Sequence, residues 1–398
     1  MWVDIVDREL AMTDYLAGSH LKATIRALVE TTGPRPAGHP AEAQARQLIE
    51  TLLREGGIQD IETIDYRTPD TWGWGTIVPT IMALAGMVII THPLLSSLLV
   101  LLAAYQFLLA TVARLNDHLL YFLYPKRPSA TVLAKIPPAG DARGRVVLIG
   151  HLDTNKHRAS FAPPLKKYLR PSSTILLGSM VVYAIANLLG WDVVRYAALL
   201  YTGVALISLL LDEKDGYVDG ANDNGSAVAW VLGIGRQAQA APFRHTEIWL
   251  AFPGEEEVAH NGLKALLKQH GETLHSAQFI DFEMVGKGSI HFATRQSGLI
   301  AFSDYYPDPE SLALAEATAQ RLAGTYPVSG RELPILDEVG TLRRLGFRAI
   351  GLDGVDADGF PANWHQHSDT VSNIDEGALE TAAHFAWSMI EEIDAREG

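Results

Sequence analysis

The sequence predicts an α/β fold: a mixed, mostly parallel sheet flanked by helices on both faces, with two apolar helical hairpins inserted into it. Two observations carry this. Short apolar, strand-like runs alternate with longer helical patterns over most of the 398 residues, as in a sheet covered on both sides. Against that background stand two blocks, residues 71–114 and 172–211, whose apolar runs carry almost no charge.

Taken in order, residues 17–56 read as helix, loop, helix. Gly33-Pro34-Arg35-Pro36-Ala37-Gly38 separates the two helices. Leu48, Ile49, Leu52 and Leu53 form one apolar stripe, and Gly56-Gly57 stops the second helix. Residues 61–66 alternate weakly, as a strand. Residues 130–136 and 146–149 are strand runs, and 227–237 is a helix after a Gly/Asn-rich loop. Thr246–Phe252 reads as a buried strand, 278–282 and 348–352 as further strands, and 310–322 and 376–393 as helices.

Between residues 71 and 113 there is no Asp, Glu, Lys or Arg. Pro93 divides this block into 72–91 and 94–113, each about 20 residues, enough for a ~30 Å hydrocarbon core. Trp72 and Trp74 stand where interfacial aromatics belong. The second block divides into 172–191, a turn at 192–195, and 196–211, this last run of about 16 residues being short for a span. The expectation is a multi-pass membrane protein in contact with the lipid bilayer; core helices or a hydrophobic dimer interface are the alternatives. Arg114, Lys126, Arg127, Lys166, Lys167 and Arg170 lie on the side of the hydrophilic domain, which the positive-inside rule makes cytoplasmic. Residues 116–124 mix charge with large apolar side chains, as a segment lying along the interface does. Residues 1–9 are acidic and carry no secretory signal.

The formal charge of −14 argues against nucleic acid as a partner. The absence of cysteine excludes disulfides and thiolate metal sites. Any zinc must therefore sit on imidazole and carboxylate.

Five motifs supply such groups. Gly150-His151-Leu152-Asp153 follows a strand, so His151 stands at a strand exit, with Asp153 able to fix its tautomer. Asp223, in Gly220-Ala221-Asn222-Asp223-Asn224-Gly225-Ser226, is short enough to bridge two cations ~3.5–4 Å apart. Asp223, Asn224 or Ser226 could equally cap the following helix. In Gly254-Glu255-Glu256-Glu257, one carboxylate can ligate while its neighbour takes a proton from water; a solvated acidic loop is the plainer reading. Asp281-Phe282-Glu283-Met284-Val285-Gly286 ends a strand, and Asp281 rivals Glu283 because the two share a face. In His365-Gln366-His367-Ser368-Asp369-Thr370 either histidine could ligate.

Together these motifs resemble the co-catalytic two-zinc aminopeptidase family of clan MH, to which glutamate carboxypeptidase also belongs. The likeness covers residues 17–66 and 130–390 in outline and leaves out the hairpins. It implies His151, Asp223, Glu257, Glu283 and His365 as ligands of two Zn²⁺, other divalent ions being possible. Asp223 would bridge, Glu256 would be the general base, and Asp153 would act beside His151. His365 is preferred over His367 because it stands four residues before Asp369. The resemblance divides the chain into the N-terminal part of a peptidase domain (1–70), hairpin 1 (71–114), the first ligand strand (115–171), hairpin 2 (172–211) and the remaining peptidase domain (212–398). Two positions depart from the family: Glu283 replaces its usual Asp, and Trp364 stands where a Tyr often precedes the late His. The implied activity is a membrane-anchored, zinc-dependent exopeptidase, foremost an aminopeptidase on peptide substrates. The alternatives are a carboxypeptidase or amidase, and an inactive membrane scaffold.

Overall fold

The computed structural model describes residues 14–89 and 91–398. The reading of residues 1–9 therefore lies outside the described residues. The elements are α1 (Gly18–Thr32), α2 (Pro40–Glu55), β1 (Asp60–Thr68), α3 (Gly73–Met87), α4 (Pro93–Ala110), β2 (Arg127–Ile136), β3 (Gly144–Ile149), α5 (Leu169–Leu189) and α6 (Asp192–Asp212). There follow α7 (Gly225–Ala240), β4 (Thr246–Phe252), α8 (Asn261–His270), β5 (Gln278–Glu283), β6 (Ser289–Ser297), β7 (Asp304–Tyr305), α9 (Pro309–Leu322), β8 (Ser329–Leu333), α10 (Glu338–Arg344), β9 (Arg348–Val355) and α11 (Glu376–Glu397).

The strands form one mixed sheet in the order β1-β2-β4-β3-β5-β9-β6-β7, with β8 beside β6. Its centre, β4-β3-β5-β9, is parallel, while β1, β2 and the β6–β9 ladder are antiparallel. Alternate residues of β3 serve opposite cores. Val146 and Leu148 join Leu21, Ile49, Trp230, Leu314 and Phe385 beneath α1, α2, α7, α9 and α11. Val147 and Ile149 join Leu263, Leu266, Phe279 and Leu342 beneath α8 and α10. Burial on both faces explains why these strands read as continuous apolar runs. The carboxyl ends of β3, β4 and β5 lie together at one edge of the parallel centre, where the first, third and fourth motifs emerge.

Helices α3 to α6 pack in a closed ring, each against the next and α3 against α6. Ala83, Met87, Val100, Ala103, Phe107, Leu176, Met180 and Tyr183 fill its interior. Its buried polar groups are paired across helices: Tyr183 Oη donates to Met87 O at 2.6 Å, Ser97 Oγ to Ala184 O at 2.9 Å, and Asn187 Nδ2 to Pro93 O at 3.0 Å. Outward, Leu98, Leu101, Val182, Ile185, Leu200, Ile207 and Leu210 are exposed. A ring whose outer face is as apolar as its interior differs from a soluble bundle, whose outer face is polar.

Two helix bounds differ from expectation. The first run forms only a 15-residue α3, roughly 22 Å long at 1.5 Å per residue. The run judged shortest instead becomes the 21-residue α6. Asp192 and Arg195 form its first turn and an i,i+3 ion pair at 2.8 Å rather than a connecting turn; these charges hid the helix start. Among the described residues three helices, Pro93–Ala110, Lys166–Leu189 and Asp192–Asp212, are by length and composition long and apolar enough to cross a membrane. Residues 116–124 carry two short 3-10 turns, with Leu119, Phe122 and Leu123 exposed.

The base of the ring is stitched to the sheet domain. Asp212 accepts from Ser160 N at 3.0 Å, Lys264 Nζ donates to Ala113 O at 2.6 Å, Arg170 pairs with Asp304 at 2.8 Å, and Glu213 pairs with Arg158 at 2.8 Å.

Trp230 is fully buried in the middle of α7. Trp230→Ala is expected to cost about 3–5 kcal/mol, measured as a lowered midpoint of denaturant unfolding of the purified protein.

Candidate metal centre

His151, Asp223, Glu256, Glu257, Glu283 and His365 come from five separate stretches of chain and face one buried space. Each arrives by a short route from a rigid element. His151 follows Gly150 out of β3, Glu283 is the last residue of β5, and Glu256 and Glu257 follow β4. Asp223 lies in the loop entering α7. That loop is locked by Asn222 and Asn224: Asn222 Nδ2 donates to Ala362 O at 3.0 Å, Asn224 Nδ2 to Phe282 O at 2.7 Å, and Gly286 N to Asn222 Oδ1 at 2.8 Å. Asn224 occupies the N-cap of α7 without a side-chain capping bond, so the capping alternative for this motif is not used. Gly220 has φ +62° and leaves no room for a Cβ, which would meet Thr154 and Asp223 O.

The donor atoms fall into two groups around Asp223. On one side His151 Nε2 lies 3.6 Å from Asp223 Oδ1 and 3.3 Å from Glu283 Oε1. On the other His365 Nε2 lies 3.3 Å from Asp223 Oδ2 and 3.1 Å from Glu257 Oε2. A tetrahedral ion with bonds of ~2.0–2.1 Å sets neighbouring donors about 3.3 Å apart, so these spacings fit. His151 Nε2, Asp223 Oδ2 and Glu257 Oε1 are buried with no hydrogen-bond partner among the described residues, a cost that a cation would remove. The residues therefore fit a divalent metal, and an imidazole–carboxylate donor set without thiolate suits zinc.

Electrostatics points the same way. Burial pushes the Glu283 carboxyl up to about 8 and that of Glu256 well above its usual range. Burial opposes a charged imidazole at His365, yet Glu257 and Asp223 outweigh it and hold the ring up at about 9. This is the signature of too many carboxylates around too few positive charges.

The partners behind the donors are also in place. Asp153 Oδ1 lies 3.2 Å from His151 Nδ1 and accepts from Glu256 N at 2.9 Å, while its Oδ2 accepts from Glu257 N at 3.2 Å. One side chain thus orients two motifs. Asp369 does the same for the Asp223 loop, accepting from Asn222 N at 2.6 Å and Asp223 N at 3.0 Å. Glu255 is fully buried and turned away, accepting from the backbone N–H of Ala259 and Asn261.

The rivals sit elsewhere. Asp281 is buried but, among the described residues, accepts only from its neighbour Phe282 N, at 3.0 Å. His367 is exposed and faces Asp215, at 3.3 Å, with His157 stacked on it at 4.2 Å between ring centroids.

Several contributors were missed in the sequence. Arg35, read only as loop, is fully buried and donates to Leu152 O, Asp219 O and Gly220 O at 2.8–2.9 Å, tying the His151 and Asp223 loops together. His260 Nε2 lies 3.0 Å from Glu256 Oε1, and its Nδ1 lies 3.0 Å from Thr341 Oγ1. Asn155 Nδ2 donates to Glu257 Oε2 at 2.6 Å and lies 3.3 Å from His365 Nε2. Asn155 Oδ1 in turn accepts from Arg158 Nε at 2.9 Å. Only Pro-Arg-Pro, an unusual setting for a charged residue, hinted at any of these.

A cavity of about 270 Å³ opens onto the donors, walled by Phe161, Met284, Ile335, Trp364 and, from the helical ring, Trp72, Thr111 and Leu169. Trp364 packs edge-on against Phe161 at 4.6 Å. It forms an apolar wall where a phenol would have offered a hydrogen bond.

A parallel-centred sheet with histidine and carboxylate donors at its carboxyl edge defines the zinc-exopeptidase class of fold. The profile of peptidase family M28 matches residues 191–390, and the chain belongs to that family. No curated protein matches the sequence. Among solved structures, the chain is similar to a zinc aminopeptidase from Bacillus subtilis (TM-score 0.59, 13% identity, 95% of each chain covered). It is also similar to an Acidobacteriales bacterium glutaminyl cyclase (0.55, 16%, 96% of each chain). A Zn-dependent exopeptidase from Parabacteroides distasonis matches with TM-score 0.54 and 14% identity, over 95% of this chain and 97% of that one. At these identities the likeness is one of fold.

Asp153→Ala is expected to weaken zinc binding roughly 10- to 100-fold, measured by competition with a chromophoric chelator.

Proposed function

We propose that this chain is a membrane-anchored, zinc-dependent aminopeptidase. The observation that carries the reading is the convergence of His151, Asp223, Glu257, Glu283 and His365, with unsatisfied donor atoms aimed at one another beside a cavity. In this reading His151, Asp223 and Glu283 hold one ion, and Asp223, Glu257 and His365 the other. The chemistry such ions supply is the lowering of a water's pKa and the polarisation of a carbonyl.

The protein's own groups do the rest. Glu256 takes a proton from the attacking water at Oε2, which lies 3.9 Å from His151 Nε2, and returns it to the leaving amine nitrogen. His260 holds Oε1 of that carboxylate; a carboxylate only accepts, so Nε2 carries the hydrogen and Nδ1 accepts from Thr341. Asp153 fixes the ring of His151. Phe161 and Trp364 shape an apolar wall for the N-terminal side chain, and the buried acids beside Glu283 favour a cationic amine. The exposed faces of α4, α5 and α6 support anchoring in a bilayer, and the basic residues at the ring's base support a cytoplasmic domain.

A second reading is cyclisation of an N-terminal glutamine. It is favoured by the similarity of the fold to glutaminyl cyclases. Both reactions start from a free amine but differ in product: one releases an amino acid, the other ammonia.

Glu256→Gln is expected to lower kcat by roughly 10²- to 10⁴-fold with zinc content unchanged. The assay follows amino-acid release from free-amine and N-acetylated peptides, with and without chelator. Normal turnover in this variant would remove Glu256 from the mechanism, and turnover of acetylated peptides would exclude an aminopeptidase. The chain has no cysteine, so single Cys reporters test topology. His92→Cys is expected to react with impermeant maleimide from outside intact cells, and Lys214→Cys only after lysis.

A further inference from the structure

A second cavity, of about 230 Å³, lies inside the base of the helical ring, and its walls come from all four helices. Phe107, Leu176, Val204, Ala205 and Leu209 make it predominantly apolar. It shares Trp72, Thr111, Leu169 and Leu299 with the cavity over the metal centre, so the two adjoin across these side chains. The chamber also reaches the outside of the ring, because its wall residues Ser172, Val204 and Ser208 are exposed. Its mouth lies at the base of the seam between α5 and α6, where Tyr201 Oη donates to Ser172 O at 3.1 Å; farther along the seam Ser179 Oγ and Thr202 Oγ1 lie 3.2 Å apart and Arg195 donates to Asn187 Oδ1 at 3.3 Å. The surface flanking that seam is apolar, with Ile175, Ile207 and Leu211 exposed.

A chamber of this kind has no use for a short, water-soluble peptide. We infer that the substrate is an amide bearing one long aliphatic chain on its leaving side, and that this chain lies in the ring chamber after entering from the lipid between α5 and α6. The inference rests on the aminopeptidase reading. In that reading the free amine lies beside the buried acids, and the rest of the substrate leaves past the ring residues Trp72, Thr111 and Leu169 that wall the cavity. Apolar walls select the hydrocarbon, the metal centre receives the amide, and water attacks its carbonyl to give an amino acid and a long-chain amine.

The test uses the full-length zinc-loaded protein in lipid nanodiscs and a series of leucine n-alkylamides from butyl to dodecyl. A methylene buried from water contributes about fourfold to binding, and transfer from lipid reduces that gain, so kcat/KM is expected to rise at least about tenfold across the series. Partitioning into lipid is common to all variants, so their comparison isolates the chamber. Ala205→Trp, which fills it, is expected to flatten the dependence on chain length; Leu210→Trp, on the outer face of α6, is expected to preserve it. A dodecylamine carrying a terminal diazirine is expected to label the residues lining the chamber. A flat series in the unmodified protein, or one that Ala205→Trp leaves unchanged, overturns the inference while the aminopeptidase reading stands. If no free-amine substrate is cleaved despite bound zinc, the aminopeptidase reading fails instead, and labelling confined to the outer helix faces would sink the chamber independently of turnover.

Discussion

Excess buried negative charge governs this molecule. Asp153, Asp223, Glu255, Glu256, Asp281, Glu283, Asp337, Glu338, Asp353 and Asp369 are all buried, most within the loops and strand ends around one space. Against them stand Arg35, His151 and His365, with Arg158 buried nearby and paired with Glu213. Both carboxylate oxygens of Glu338 and of Asp353 lack partners among the described residues, and burial pushes both groups far above the usual carboxylate range. Self-repulsion on this scale is tolerable only where protons or divalent cations are shared among the acids. The sheet supplies the rigidity that keeps the loops from flying apart. Asp153 and Asp369 convert two of the offending charges into tethers by accepting backbone N–H groups from neighbouring motifs. Arg35 does the complementary work from below, and burial brings even its guanidinium down to about 10.

The helical ring is more than an appendage on this core. It contributes Trp72, Thr111 and Leu169 to the wall of the cavity over the donors. It is fastened by ion pairs and hydrogen bonds to backbone, and by apolar packing of Trp72 and Leu169 against Phe161, Met284, Ile335 and Trp364.

Much of the sheet and its site was legible in the sequence because the physics was local. β4 spans Thr246–Phe252 as read, and β3 and β5 differ only at their ends, because doubly buried strands leave unbroken apolar runs. The motif residues could be picked out because strand exits at the carboxyl edge put polar groups where the chain reverses. What stayed hidden was non-local. β6, β7 and β8 follow no unbroken apolar run; β7 is only two residues long, and β6 pairs with β8 and β9, which lie far along the chain. His260 reaches Glu256 only because it takes a left-handed backbone conformation, φ +55°. The start of α6 was masked by Asp192 and Arg195, whose charges neutralise each other across one helical turn.

The link from Glu213 through Arg158 to Asn155 has a practical consequence for anyone handling this protein. Glu213 sits just past the end of α6, Arg158 is buried, and Asn155 touches both Glu257 and His365. Trimming away the greasy segments to obtain a soluble fragment would leave Glu213 at a cut end, without the helix that places it. The excised fragment would be missing one side of its reaction vessel, and two of the side chains reaching for metal would lose the brace that aims them.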